Sequence, residues 1–311
     1  MKKIAFLASS ILLSLSASAQ VPVFLTAGQS NTDGRVPSAD FPKEIADKGY
    51  EFCQWSYCNG TKDTIEGVFE KFYPRMSSEN DTHRWTYDAI TYYLIEQALQ
   101  KPFYVIKQAH GGTSIDPSCQ SSGRKGAPGN GFHWSPDLAF LADNASVNHG
   151  GNSLLKAFTD NIDKCIDEQL SQLPEGYEIK AWMWHQGESD ANAADRYHDN
   201  LKAMVDHVRQ HLVEKTGNEK YATLPFICGT VPGRSARFRP QIEQAFYLLQ
   251  AEDPNFHVVS LFDAELQKDR LHFTAPVAIK FGAQVYNKMV EKGIIDGCPV
   301  DTRSELFQTE P

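Results

Sequence analysis

Five short apolar runs alternate with stretches of helical periodicity, and that alternation leaves the chain few architectures. The runs cover residues 21–27, 103–108, 178–185, 224–230 and 256–261. Each has the length of a strand rather than of a helix. Residues 85–99 read as a helix. Leu155, Phe158, Ile162, Cys165 and Ile166 mark a second at three- and four-residue spacing, and Leu201, Met204, Val205, Val208 and Leu212 a third. Residues 238–251 and 275–292 complete the set. Strands that each lead towards a helix predict an α/β fold with a doubly wound, five-stranded parallel sheet. The first run is apolar throughout, as a central strand covered on both faces would be. Ligands of such sheets sit beyond the carboxyl ends of the strands, where the strand order reverses. Two segments, 36–81 and 110–151, break the alternation. They read as long irregular loops at the strand ends, a common place for function.

The first residues read differently. Lys2 and Lys3 precede an apolar stretch, 4–15, and Ala17-Ser18-Ala19 follows it. That is the pattern of an export signal cleaved after Ala19. The stretch is short for a membrane span, and no cysteine follows the cleavage point to carry a lipid. The expectation is a leader over 1–19, a single domain over 20–311, and an exported protein, periplasmic or secreted, with no membrane anchor. About 290 residues suffice for one large core. The net charge is −9 and becomes more negative once Lys2 and Lys3 are gone, so the surface repels phosphate backbones and nucleic acid is not expected as a partner. Six cysteines are too few for a disulfide scaffold at this length. Cys53 and Cys58 are close enough in sequence to pair, and export permits it. Cys165 and Cys228 fall within apolar patterns and read as buried thiols. The chain has no Cys-x-x-Cys and no His-Glu-x-x-His, so neither a metal nor a cofactor is expected.

The chemistry gathers after three of the runs. Gly28-Gln29-Ser30-Asn31 follows the first, Gly111-Gly112 the second, and Gln186-Gly187-Glu188 the third. A serine hydroxyl is a poor nucleophile unless a base takes its proton and an acid orients that base. Ser30 is the candidate nucleophile, and Asp269 and His272, three residues apart in a turn-like segment, are the candidate acid and base. Cleaving an ester also requires donors aimed at the developing oxyanion. The backbone N–H groups of Ser30 and Gly112 and the side-chain amide of Gln186 are the candidates. Glu188 reads either as a support for this loop or as an alternative acid for His272. Gln29, Asn31, Arg35, His110 and Trp134 lie near the same strand ends and are candidate substrate contacts. Taken singly, each has a plain reading as a turn glycine, a loop aromatic or a strand-end amide. Their coincidence at strand ends favours a site.

Gly28-Gln29-Ser30-Asn31, Gly111-Gly112-Thr113-Ser114-Ile115, Trp184-His185-Gln186-Gly187-Glu188 and Asp269-x-x-His272 together resemble the sialate O-acetylesterase-like branch of the SGNH (GDSL-type) hydrolases, which includes the acetyl xylan esterases of carbohydrate esterase family six. The resemblance spans nearly the whole chain after the leader, with the motifs in the family's order. It implies a flavodoxin-like sheet and metal-independent release of acetate from O-acetylated sugars. By position it makes Ser30 the nucleophile, His272 the base and Asp269 its acid, with Gly112 and Gln186 joining the Ser30 N–H in the oxyanion hole. Gln29 and Gln186 depart from the wider superfamily, which has Asp and Asn there, and both departures are normal in this branch.

The sequence therefore predicts an exported serine esterase acting on an O-acetylated carbohydrate. The rivals are a non-catalytic carbohydrate-binding protein and an esterase or lipase for other esters. An α/β-hydrolase would carry Gly-x-Ser-x-Gly, but Thr32 takes the last place here.

Overall fold

The computed structural model describes residues 19–58, 65–74, 84–122 and 131–302, so the expected leader lies outside the described residues except for Ala19. A strand of eight residues, β1 (Val21–Gly28), runs through the middle of the molecule with only Val21 partly exposed. In chain order it is followed by α1 (Ser30–Asp33), β2 (Val36–Pro37), α2 (Lys43–Lys48), β3 (Cys53–Cys58), β4 (Glu70–Lys71), β5 (Arg84–Trp85), α3 (Tyr87–Leu99), β6 (Phe103–Ala109), α4 (Leu138–Asp143), α5 (Leu154–Glu168), β7 (Tyr177–His185), α6 (Tyr197–Thr216), β8 (Phe226–Gly229), α7 (Pro240–Glu252), β9 (Phe256–Val259) and α8 (Ala275–Glu291).

The main sheet has the order β4-β3-β6-β1-β7-β8-β9, while β2 and β5 form a small antiparallel ribbon. The five strands expected from sequence are β6, β1, β7, β8 and β9. They stand side by side and parallel, in the order 2-1-3-4-5 that is typical of flavodoxin-like sheets. The strand count needs correction. β3 adds a sixth parallel strand next to β6, and β4 closes that edge antiparallel to β3. β3 lies inside a segment that reads as irregular because Gln54 and Ser56 interrupt its aromatic residues. Its side chains alternate, and the sheet uses Trp55 and Tyr57 on one face.

The same strand rules out the Cys53–Cys58 disulfide. Residues at opposite ends of a six-residue strand are separated by about 16 Å, more than twice the reach of a disulfide. Both thiols are free and buried, as are Cys165 and Cys228.

β1 shows how the layers form. Val23, Leu25 and Ala27 face one side, with α5, α6 and α7, through Phe158, Leu201, Val205 and Phe246. Phe24 faces the other side, with α3 and α8, through Ile90, Phe281 and Val285. Next to Phe24 on that face, Thr26 Oγ1 bonds the Tyr92 hydroxyl at 2.6 Å. Each fully buried large apolar side chain contributes about 1.5–3 kcal/mol. Parallel register then brings the carboxyl ends level, with Gly28 paired to Ala109 on one side and to His185 on the other. The three loops that carry the motifs leave the sheet at one height, where the strand order reverses. Among the described residues no helix is long and apolar enough to cross a membrane.

Candidate active site

Gly28 begins the site by what it lacks. Its φ is 149°, and a Cβ there would lie 2.3 Å from the His185 carbonyl oxygen and 2.5 Å from Thr32 Oγ1. Without one, β1 passes close to β7, the Gln29 N–H donates to the His185 carbonyl (3.1 Å), and the chain turns into α1. Ser30 is the first residue of that helical turn, so its N–H has no carbonyl one turn earlier to meet. The Ser30 side chain borders an open pocket of about 560 Å³.

His272 borders the same pocket from a turn before α8. Asp269 shapes that turn. Its Oδ1 accepts the N–H groups of Leu271 (2.9 Å) and His272 (3.1 Å), and its Oδ2 bonds His272 Nδ1 at 2.6 Å. A ring nitrogen against a carboxylate carries the proton, which leaves Nε2 of the neutral ring as an acceptor. Partial burial raises the Asp269 carboxyl, but the His272 and Leu271 N–H groups and the imidazole outweigh it and hold it below the ordinary 3.8.

Gly111 and Gly112 make the third wall. A Cβ on Gly111 would lie 2.3 Å from Arg35 Nη2 and 3.3 Å from Ser30 Cβ, and Gly112 has φ 72°. Among the backbone hydrogen bonds of the described residues, neither the Ser30 nor the Gly112 N–H is used. Both remain free to donate at the pocket.

Gln186 does not fill the oxyanion role expected of it. Its Nε2 donates to the Thr113 carbonyl (3.1 Å) and to Asp190 Oδ2 (2.5 Å), and its Oε1 accepts the Tyr197 hydroxyl (3.0 Å). With both amide hydrogens used and no exposed surface, it ties the glycine loop to the end of β7. Asp190 completes that tie by accepting the N–H groups of Ile115 (2.9 Å) and Asp116 (2.9 Å). Burial pushes the Asp190 carboxyl up to about 6 against these donors. Asp190 was not anticipated, although it closes the run Gln186-Gly187-Glu188-Ser189-Asp190.

The other candidates divide. Gln29 and Arg35 border the pocket. Arg35 Nη1 is held by Asp33 Oδ2 (2.9 Å), Asp33 in turn accepts the Tyr57 hydroxyl (2.7 Å), and Nη2 points towards Gly111. Asn31 is not among the residues bordering the pocket: its amide is turned to Glu188 and to the backbone around His272. Trp134 is fully buried edge-on to Trp184 (5.1 Å) and has no face left for a sugar. His110 packs on Phe132 (4.9 Å) and is not among the residues bordering the pocket. Glu188 borders the pocket, and its Oε1 accepts Asn31 Nδ2 (3.1 Å) and lies 3.9 Å from His185 Nδ1. Burial lowers the His185 imidazole, which disfavours its charged form beside Glu188. Arg237 and Asn192 also border the pocket without having been anticipated. Arg237 was open to discovery, because it follows the carboxyl end of β8 at the same edge of the sheet.

Residues 144–291 match the family described as carbohydrate esterase, sialic acid-specific acetylesterase. Over those residues the chain is similar to that family. The matched stretch contains the Gln186 and Glu188 loop and the turn with Asp269 and His272. Solved structures extend the likeness beyond the matched stretch. A protein from Arabidopsis thaliana superposes with TM-score 0.55 at 16% identity, over 88% of this chain and 98% of its own. A carbohydrate acetylesterase from Xanthomonas citri gives 0.53 at 15% identity, over 86% of this chain and 56% of its own. NanS gives 0.53 at 13%, over 88% and 97%. At these identities the likeness is one of fold. No curated protein matches the chain in sequence.

Proposed function

We propose that the protein is an exported serine esterase that removes O-acetyl groups from carbohydrates through an acetyl-enzyme. The observation that carries this reading is the 2.6 Å bond between Asp269 and His272 Nδ1, with His272 facing the same pocket as Ser30. In the first half-reaction His272 Nε2 takes the hydroxyl proton as Ser30 Oγ attacks the acetyl carbonyl carbon. The carbonyl oxygen becomes an oxyanion that receives the Ser30 and Gly112 N–H groups. Collapse breaks the bond to the sugar oxygen, and His272 returns its proton to that leaving oxygen. Water repeats the cycle on the acetyl-serine, releasing acetate and restoring Ser30. Asp269 keeps the imidazole in the tautomer that accepts at Nε2 and stabilises the imidazolium. The match of residues 144–291 to the carbohydrate esterase family supports an O-acetylated sugar as substrate.

Acetate release from an activated acetyl ester tests the mechanism. Ser30→Ala is expected to lower kcat by about 10³-fold or more with the fold intact. Substantial residual turnover in a folded variant would exclude Ser30 as nucleophile. Release from acetylated xylan, sialoglycan and pectin fragments, compared by kcat/KM, then identifies the sugar. A protein that only binds carbohydrate would release acetate from none and would resist an organophosphonate at Ser30. Export is supported by the pattern of residues 1–19, and a mature N-terminus at Gln20 in the exported fraction tests it.

A further inference from the structure

Asn31 follows Ser30 directly, yet its side chain points away from the pocket and into the turn that carries His272. Nδ2 donates to the carbonyl of Leu271 at 3.1 Å, and Oδ1 accepts the N–H of Phe273 at 3.1 Å. Leu271 and Phe273 are the two neighbours of His272. One amide therefore grips the backbone on both sides of the histidine, across 242 residues of sequence. The second hydrogen of Nδ2 goes to Glu188 Oε1 at 3.1 Å. Glu188 and Asn31 are both almost fully buried, so this bond fixes the amide's orientation where water does not compete. The carbonyl of Asn31 is held as well, by the Thr86 hydroxyl.

The other bonds of the turn do something different. Those from Asp269 to Leu271 and His272, and from Gln267 N–H to the His272 carbonyl, fix the shape of the turn. Gln267 Nε2 to the Arg35 carbonyl (3.0 Å) and Ala236 N–H to the Arg270 carbonyl (3.1 Å) hold its base and outer edge. The Gln267 amide also donates to the Phe273 carbonyl (2.7 Å), but it holds only one side of His272 and ties it to Arg35, outside the helical turn of Ser30. We propose that Asn31 is a positioning residue that sets His272 in line with Ser30, and that Glu188 serves the site by anchoring Asn31. The proposal rests on reading Ser30 and His272 as nucleophile and base. Its physical basis is economy of distance: Asn31 shares the helical turn of Ser30, so every shift of that turn is passed to the histidine backbone. Alignment matters at this scale, since a displacement of about 1 Å costs on the order of 10²-fold in rate.

Steady-state acetate release and the rate of organophosphonate inactivation at Ser30, measured on the full chain, test this. Asn31→Ala is expected to lower both kcat and the inactivation rate by about 10²-fold, with KM within about threefold of wild type. Asn31→Asp is isosteric and keeps the acceptor for Phe273, but it loses the donation to Leu271 and sets a carboxylate against Glu188. It is expected to lose kcat at least as far, and it decides the matter if Asn31→Ala does not fold. A folded variant whose kcat and inactivation rate stay within threefold of wild type overturns the proposal. So does a loss carried by KM alone, which would make Asn31 a substrate contact. If the wild type is not labelled at Ser30, the esterase reading itself fails. If it is labelled and the Asn31 variants match it, only the positioning role fails.

Discussion

Asp190 and Asp269, both in the loops around the pocket, serve their surroundings in opposite ways. Asp190 has no exposed surface and accepts two backbone N–H groups and a side-chain amide. Asp269 has a side chain 46% exposed and bonds an imidazole and the two N–H groups of its own turn. Burial carries the first carboxyl up to about 6, while donors outweigh the slight burial of the second and keep it below 3.8. The buried acid is a strut, and its charge is a cost met by the bonds it gathers. The exposed acid stays ionised over the working range of pH because water helps to carry its charge, and an ionised acid is what an imidazolium requires. Exposure therefore does not disqualify a carboxylate from orienting a base.

The sharpest way to break the contrast is to neutralise the exposed acid. Asp269→Asn is expected to lower kcat by about 10²-fold or more, because it allows the wrong imidazole tautomer, while the thermal midpoint barely moves. An unchanged kcat would leave the imidazole without need of an acid.

Asp190→Asn should show the reverse balance. An NH₂ group facing the N–H groups of Ile115 and Asp116 is expected to cost about 2–4 kcal/mol in denaturant unfolding, with kcat reduced about tenfold through the Gly112 loop. The pH dependence separates the two acids further. The folded value of Asp190 lies above the ordinary 3.8, so the folded state holds that proton more tightly. Its contribution to stability is complete below 3.8 and is lost as pH rises through about 6. For Asp269, lowered from 3.8, the contribution is present above 3.8 and is lost as pH falls through the lower folded value. Urea unfolding between pH 4 and 7 should therefore lose the Asp190 slope in Asp190→Asn. Retention of the wild-type slope would assign it to another group.

The smallest effect belongs to Glu188→Gln. A glutamine Oε1 can still accept from Asn31, and kcat is expected to fall less than about fivefold. A loss larger than that of Asp269→Asn would move the orienting role to Glu188.

What could be read from the sequence was what local pattern controls. The five apolar runs, the central place of β1 and the three motif loops at strand ends all follow from periodicity and turn residues a few positions apart. β3 escaped because its polar residues Gln54 and Ser56 hide a strand whose pairing partner, β6, lies 50 residues on. Gln186 was given a donor role because a strand-end amide is chemically suited to one. Only the approach of Thr113 and Asp190 shows its hydrogens already used. Asn31 was given to the substrate for a similar reason, being adjacent to Ser30, whereas its partners sit 240 and 242 residues away. Side-chain use is decided by long-range neighbours, and no spacing rule along the chain reports them.

The level register of Gly28 with Ala109 and His185 has a consequence for the life of the molecule as it is made. Ser30 leaves the ribosome long before the turn that carries His272 is translated. At about 5–20 residues per second, synthesis alone holds the two apart for roughly ten to fifty seconds. A growing chain can thus display the serine, the glycine loop and much of the sheet and still cleave nothing. On the proposed mechanism, activity switches on only when the turn of His272 meets Ser30, so the first turnover reports that these two segments have come together.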